Sequence, residues 1–136
     1  MAVTVLVVED DRNIADLLKM YLEKEGYAVA WAADGGQGLE KFRAIKPDLV
    51  LLDVMMPVMD GYTFLELVKQ DPELALIPVI VTTQNDSEAD ELAALEHGAT
   101  DFVPKPYRPQ IILHRVASLI NLRENAAMVN QLRYDR

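Results

Sequence analysis

Cysteine is absent from the 136-residue chain, which excludes disulfide frameworks, zinc–thiolate centres and thiol catalysis. No apolar run reaches the ~18 residues needed to cross a bilayer. The opening Met1-Ala2-Val3-Thr4 lacks the basic segment of a secretory leader, and the resulting expectation is a cytoplasmic chain with no membrane partner. Positive charge is scarce: 13 Lys and Arg stand against 22 Asp and Glu, a net charge of −9. Such a chain is repelled by phosphate backbones and anionic lipids, which argues against direct nucleic-acid binding. Histidine occurs only as His97 and His114, both placed by the pattern on helices and read as structural or solvent-facing. No linker rich in Gly, Ser or Pro and no internal repeat is evident. What remains is 51% apolar and 26% charged, the composition of an ordinary globular domain. The length suits one domain with one core, hiding roughly two-thirds of its unfolded surface.

Short β-rich runs alternate with helical stretches. Thr4–Val8 is a continuous apolar run of the kind buried on both faces of a parallel sheet. Ile14, Leu17, Leu18, Tyr21 and Leu22 then recur at helical spacing, and Gly26 stops that helix. Ala28–Ala32 gives a second strand and Gly36–Ile45 a second helix, followed by Pro47. Leu49–Leu52 is a third strand, Pro57 and Gly61 mark a loop, and a third helix carries Tyr62, Leu65 and Val68. Pro78 opens a fourth strand, Val79–Thr83. A fourth helix spans Ser87–His97, with Ser87 as N-cap and Gly98 beyond its end. Phe102-Val103 is a short fifth strand, and Pro109 starts a fifth helix through Ile112, Val116 and Leu119. Five β–α units in series imply an α/β fold, a parallel sheet with helices on both faces. The composition changes after Leu122, so residues 1–122 read as the domain. Residues 123–136 read as a helical extension, a frayed tail or a linker.

In an open sheet of this kind ligands bind beyond the carboxyl ends of the strands. Strand one ends in Glu9-Asp10-Asp11, strand three in Asp53, strand four in Thr82-Thr83, and Lys105-Pro106 follow strand five. Taken singly, each has a plain structural role. The acidic triplet caps a helix, Asp53 makes an Asx turn, and Thr83 is a β-branched strand residue. Lys105 is a solvated charge, and Met55, Met56 and Met59 fill gaps. Together they carry compatible chemistry. Clustered carboxylates need a compensating cation, and oxygen-only ligation suits a hard ion such as Mg²⁺. A lysine and a threonine hydroxyl hold phosphoryl oxygens, and an aspartate can act as nucleophile to give an acyl phosphate.

These residues resemble the receiver domain of two-component response regulators, in particular chemotaxis-type single-domain receivers. The matching pieces are VLVVEDD (5–11), DLVLLDVMMPVMDG (48–61), PVIVTT (78–83) and GATDFVPKP (98–106). The separations agree, with 30 residues from Asp53 to Thr83 and 22 from Thr83 to Lys105. The resemblance implies a (βα)5 flavodoxin-like fold with five parallel strands in the order 2-1-3-4-5. It implies Asp53 as phosphoacceptor and Mg²⁺ as cofactor, held by Asp10, Asp53 and the backbone carbonyl of Met55, with Glu9 acting through a water. Asp11 would cap the first helix. Thr83 would hydrogen-bond the phosphoryl oxygens and Lys105 would pair with them, with a cis peptide between Lys105 and Pro106. Phe102 stands where the family places its rotating aromatic, without a tyrosine hydroxyl. Thr82 and Thr83 face opposite sides of a strand, and the count of five from Pro78 selects Thr83. Gln84 departs from the family, which prefers a small residue there, and bears on reaction rates. Met55 and Asn85 stand at positions that tune dephosphorylation.

The implied function is a signalling switch, not an enzyme in the usual sense. A histidine kinase or phosphotransfer protein donates a phosphoryl group to Asp53, and the face of helix four, strand five and helix five changes to control a target protein or an output domain. Monomer and homodimer both stay open. Three alternatives compare poorly. A flavin or nucleotide binder needs a phosphate loop where this chain has Glu9-Asp10-Asp11-Arg12. An aspartate-nucleophile phosphatase needs an acid two residues after Asp53, where Met55 stands. A pseudo-receiver acting only by docking is disfavoured because Glu9, Asp10, Asp53, Thr83 and Lys105 are all present.

Overall fold

The computed structural model describes residues 3–53, 61–72, 74–83, 88–104 and 108–134. Its elements alternate without exception: β1 (Thr4–Val8), α1 (Arg12–Lys24), β2 (Ala28–Ala32), α2 (Gly35–Ile45), β3 (Leu49–Asp53), α3 (Gly61–Lys69), β4 (Val79–Thr83), α4 (Glu88–Glu96), β5 (Asp101–Pro104) and α5 (Pro109–Tyr134). The five strands form one sheet in the order β2-β1-β3-β4-β5, every pair parallel. The alternating pattern accounts for the parallel sheet, and the strand order is the flavodoxin-like one that the family resemblance implies. The order reverses between β1 and β3, so the ends of those two strands flank the crevice where such sheets bind ligands.

Period-two alternation sends the strand side chains to two cores. On one face Leu6, Val8, Val50, Leu52, Val79 and Val81 pack against Phe42 of α2, Phe64, Leu65 and Val68 of α3, and Ala94 of α4. On the other, Val5, Val7, Leu49, Leu51, Ile80 and Val103 pack against Ala15, Leu18 and Leu22 of α1, and Ile112, Val116 and Ile120 of α5. The rings of Phe42 and Phe64 meet edge to face, with centroids 5.9 Å apart and planes at 79°. Gly38 lets α2 approach β1 closely: a Cβ there would lie 3.1 Å from both Val8 methyl carbons and 3.3 Å from the Phe64 ring.

Local chemistry sets the element ends. Asp34 caps α2 by accepting from the Gln37 amide at 2.8 Å, and the Gln37 side chain accepts in turn from the Ala33 amide at 3.3 Å. The end of β2 therefore serves α2. After α4 the chain turns at Gly98, whose φ of +106° favours glycine. The Lys69 stem packs over that glycine, and burial lowers the pKa of the Lys69 ammonium from its usual value. The Lys69 ammonium donates to the Ala75 carbonyl at 3.0 Å.

One detail differs from the sequence reading, the bounds of β5, and two others add to it. β2 is apolar throughout, yet only Ala32 is buried, because an edge strand has a neighbour on one side alone. β5 is four residues long, and its pairing with β4 extends from Asp101 to Pro104. Of the alternatives left for the residues after Leu122, the backbone takes the helical extension: α5 continues to Tyr134, 26 residues in all. The N-cap expected at Ser87 lies outside the described residues. Among the described residues, no helix is long and apolar enough to cross a membrane.

Candidate functional site

β1 and β3 are adjacent, with Val8 opposite Leu52, so the residues that follow meet at the same edge of the sheet. Glu9 is 1% exposed and Asp53 2%, whereas Asp10 is exposed. One carboxylate oxygen from each of Glu9, Asp10 and Asp53 lies within 4.8 Å of the others. Two buried acids and one exposed acid at this distance repel one another strongly in the absence of positive charge. Oxygen-only donors of this charge suit a hard cation.

The acidic triplet divides its work. Asp11, exposed, accepts from the amides of Asn13 at 2.9 Å and Ile14 at 3.3 Å, and so caps α1. The cap therefore accounts for Asp11 and leaves Glu9 and Asp10 for the cluster. An Asp11→Ala protein is expected to lose about 1 kcal/mol of stability in urea denaturation, the ordinary loss of a cap. Its divalent-cation affinity should stay within about twofold of the parent, because the Asp11 carboxylate is bonded to the helix amides and is not among the clustered acids; a larger loss would place Asp11 in the cluster.

The backbone of Glu9 is held from β2. Its amide donates to the Ala32 carbonyl at 3.0 Å, and its carbonyl accepts from the indole N–H of Trp31 at 2.8 Å. The ammonium of Lys41 in turn donates to the Trp31 carbonyl. Nothing in the spacing of the sequence marks Trp31, which stands 22 residues from Glu9. Only the parallel register, with Val7 opposite Trp31, brings the indole to the end of β1.

Asp53 is the last residue of β3, and its register partner on β4 is Thr82. Thr82 is 1% exposed and its hydroxyl donates to the Leu52 carbonyl at 3.5 Å. Thr83 is the last residue of β4 and pairs with Pro104; its side chain lies outside the described residues, as do Met55, Gln84, Asn85, Lys105 and Pro106. Phe102 is half-buried and packs against the core formed with α2, α3 and α4. Neither histidine joins the cluster of Glu9, Asp10 and Asp53. His97 holds the Ala93 carbonyl through Nδ1 at 2.7 Å, with Nε2 3.6 Å from Glu66, and His114 is exposed on α5.

Residues 5–117 match the family described as the response regulator receiver domain. The chain is 37% identical over 131 residues to the alkaline phosphatase synthesis transcriptional regulatory protein PhoP of Bacillus subtilis, a match covering 96% of this chain and 54% of that protein. The chain thus spans about half the length of that curated relative. Among solved structures, a response regulator from Chloroflexus aurantiacus matches with a TM-score of 0.85 at 33% identity, covering 89% of this chain and 99% of the other. The receiver domain of a signal transduction histidine kinase from Syntrophus aciditrophicus matches with a TM-score of 0.82 at 36% identity, covering 88% and 91%.

Proposed function

We infer the function of this chain from its family: it belongs to the response regulator receiver domains of two-component signalling. We propose that Asp53 accepts a phosphoryl group from the phosphohistidine of a kinase or phosphotransfer protein, and that the acidic cluster holds Mg²⁺ for that step. The observation that carries this reading is the meeting of Glu9, Asp10 and Asp53 beside the reversal in strand order. Glu9, Asp10 and Asp53 each bring one carboxylate oxygen within 4.8 Å of the others; following the family resemblance, Asp10 and Asp53 would hold the ion directly and Glu9 through a water. The Met55 carbonyl would complete the protein's share. When bound, the ion offsets the charge that otherwise keeps carboxylates and phosphoryl oxygens apart.

The remaining chemistry belongs to the chain. An Asp53 carboxylate oxygen attacks phosphorus in line, an O–P bond forms, the P–N bond of the phosphohistidine breaks, and the imidazole leaves. Lys105 pairs with the phosphoryl oxygens and Thr83 donates its hydroxyl to them. Hydrolysis of the acyl phosphate resets the switch. The signal is a shift in population between two arrangements of the α4–β5–α5 face. That face fits a docking role: Leu92 and Leu95 of α4 are 52% and 44% exposed and Ile111 of α5 is 39% exposed, and Phe102 of β5 is half-buried against the core.

The division into a receiver, residues 1–122, and a helical connection from 123 onward is part of the same proposal. The relative of about twice the length supports it, as does the continuous α5 backbone. The matches include a receiver from a transcriptional regulatory protein and one from a histidine kinase, so the output is a target protein or a further domain of either kind. Incubation with acetyl phosphate followed by intact-mass spectrometry tests the reading. One phosphoryl adduct that forms with Mg²⁺ and not with EDTA is the expected result. A folded, Mg²⁺-binding protein that takes up no phosphoryl group would instead be a docking module that works without phosphorylation.

A further inference from the structure

We propose that Trp31 is a positioning residue for the acidic cluster: its indole N–H fixes the peptide between Glu9 and Asp10 and so sets the separation of the two carboxylates. The inference rests on the Mg²⁺ reading of that cluster. Its basis is a clamp on Glu9 supplied by two adjacent residues of β2. The ladder between β1 and β3 is in register through Val8 and Leu52, and Glu9 lies just past it. There the Ala32 carbonyl takes the Glu9 amide at 3.0 Å, and the Trp31 indole gives its N–H to the Glu9 carbonyl at 2.8 Å.

That carbonyl belongs to the peptide joining Glu9 to Asp10, so its direction sets the plane from which the Asp10 side chain departs. A buried or half-buried carbonyl without a donor is costly, and it would rotate to find one. With the indole in place the rotation is blocked, and the buried Glu9 and exposed Asp10 side chains keep their relation to Asp53. Trp31 is itself anchored. Its ring packs among the residues of the α1–α5 core, and Lys41 of α2 donates to its backbone carbonyl. Groups that orient metal ligands without touching the metal commonly change its affinity when removed.

Trp31 is the single tryptophan of the chain, so replacing tryptophan throughout the protein alters this one site. Benzothienylalanine keeps the shape of the indole and puts sulfur in place of the N–H. Calorimetric titration with Mg²⁺ is expected to show affinity weakened about 3- to 10-fold relative to the natural protein, the scale of one lost hydrogen bond. Trp31→Phe should weaken it at least as much. In the natural protein, the single indole N–H resonance should shift during the Mg²⁺ titration with the same midpoint as the calorimetric curve. This readout does not depend on any variant folding. An unchanged Mg²⁺ affinity in the benzothienyl protein, or an indole resonance that stays fixed to saturation, would overturn the positioning role while leaving the Mg²⁺ site intact. A natural protein that binds no Mg²⁺ would overturn both.

Discussion

An Asp53→Asn protein is expected to take up no phosphoryl group under conditions that fully label the parent. Asparagine has nearly the same shape and keeps its place beside Thr82 at the end of β3, so the sheet and both cores should be unaffected. What is lost is the proposed nucleophile: an amide oxygen carries no negative charge and forms no stable acyl phosphate. The loss of label should therefore be at least about 100-fold. Circular dichroism and a thermal melt of the same sample check that it is folded. Label persisting on the variant would move the acceptor to Glu9 or Asp10, whose carboxylates stand within the same 4.8 Å cluster.

A second large effect is expected at Glu9, with opposite signs in the presence and absence of metal. Glu9 is 1% exposed and its carboxylate faces those of Asp10 and Asp53. Without a cation the three negative charges repel one another. At about 5 Å and an effective dielectric constant near 20, each pair costs about 3 kcal/mol before relaxation. Glu9→Gln removes one of the charges and keeps the size, so in EDTA the variant should be more stable than the parent by about 1–3 kcal/mol. With Mg²⁺ the order should reverse. On the proposed reading the parent should gain stability as the ion binds the folded state, whereas the variant, lacking the acid proposed to hold a bound water, should bind about 10- to 100-fold more weakly. Urea denaturation at several Mg²⁺ concentrations reads both effects at once. A variant less stable than the parent in EDTA would show that Glu9 is held by its neighbours more than it is repelled.

Much of the fold was legible because its signals are local. The run Thr4–Val8, the stretch Leu49–Leu52 and the helical spacing of Ile14, Leu18 and Leu22 each carry their assignment without reference to the rest of the chain. The exposure of β2 was not, because Ala28–Ala32 is as apolar as a central strand and only the strand order reveals that it lies at the edge. The length of α5 was obscured for a related reason. Ala126, Val129 and Leu132 show loose apolar spacing, which does not distinguish a continuing helix from a fraying one, and the backbone continues to Tyr134.

The site divides along the same line. Glu9, Asp10 and Asp53 could be assigned to one edge because the alternation of β and α segments places every strand end there. The separate duty of Asp11 as a helix cap also follows from its place just before α1. The bond from Trp31 to the Glu9 carbonyl could not be read in advance. It depends on the pairing of β1 with β2, residue by residue, and no sequence interval encodes that register. The choice between Thr82 and Thr83 shows both sides. The family resemblance, through its separations, implies Thr83 as the phosphoryl partner, whereas register gives Thr82 as the neighbour of Asp53, with its hydroxyl turned to the Leu52 carbonyl.

The most direct measurement is to locate the phosphoryl group itself. Borohydride reduces an acyl phosphate to an alcohol and leaves free carboxylates untouched, so a phosphorylated aspartate becomes homoserine. The protein is incubated with acetyl phosphate and Mg²⁺, reduced, digested and sequenced by tandem mass spectrometry. Homoserine at position 53, absent from the EDTA control, is the predicted result. Homoserine derived from Asp10, or a phosphoryl group found only on serine, threonine or histidine, would contradict the account.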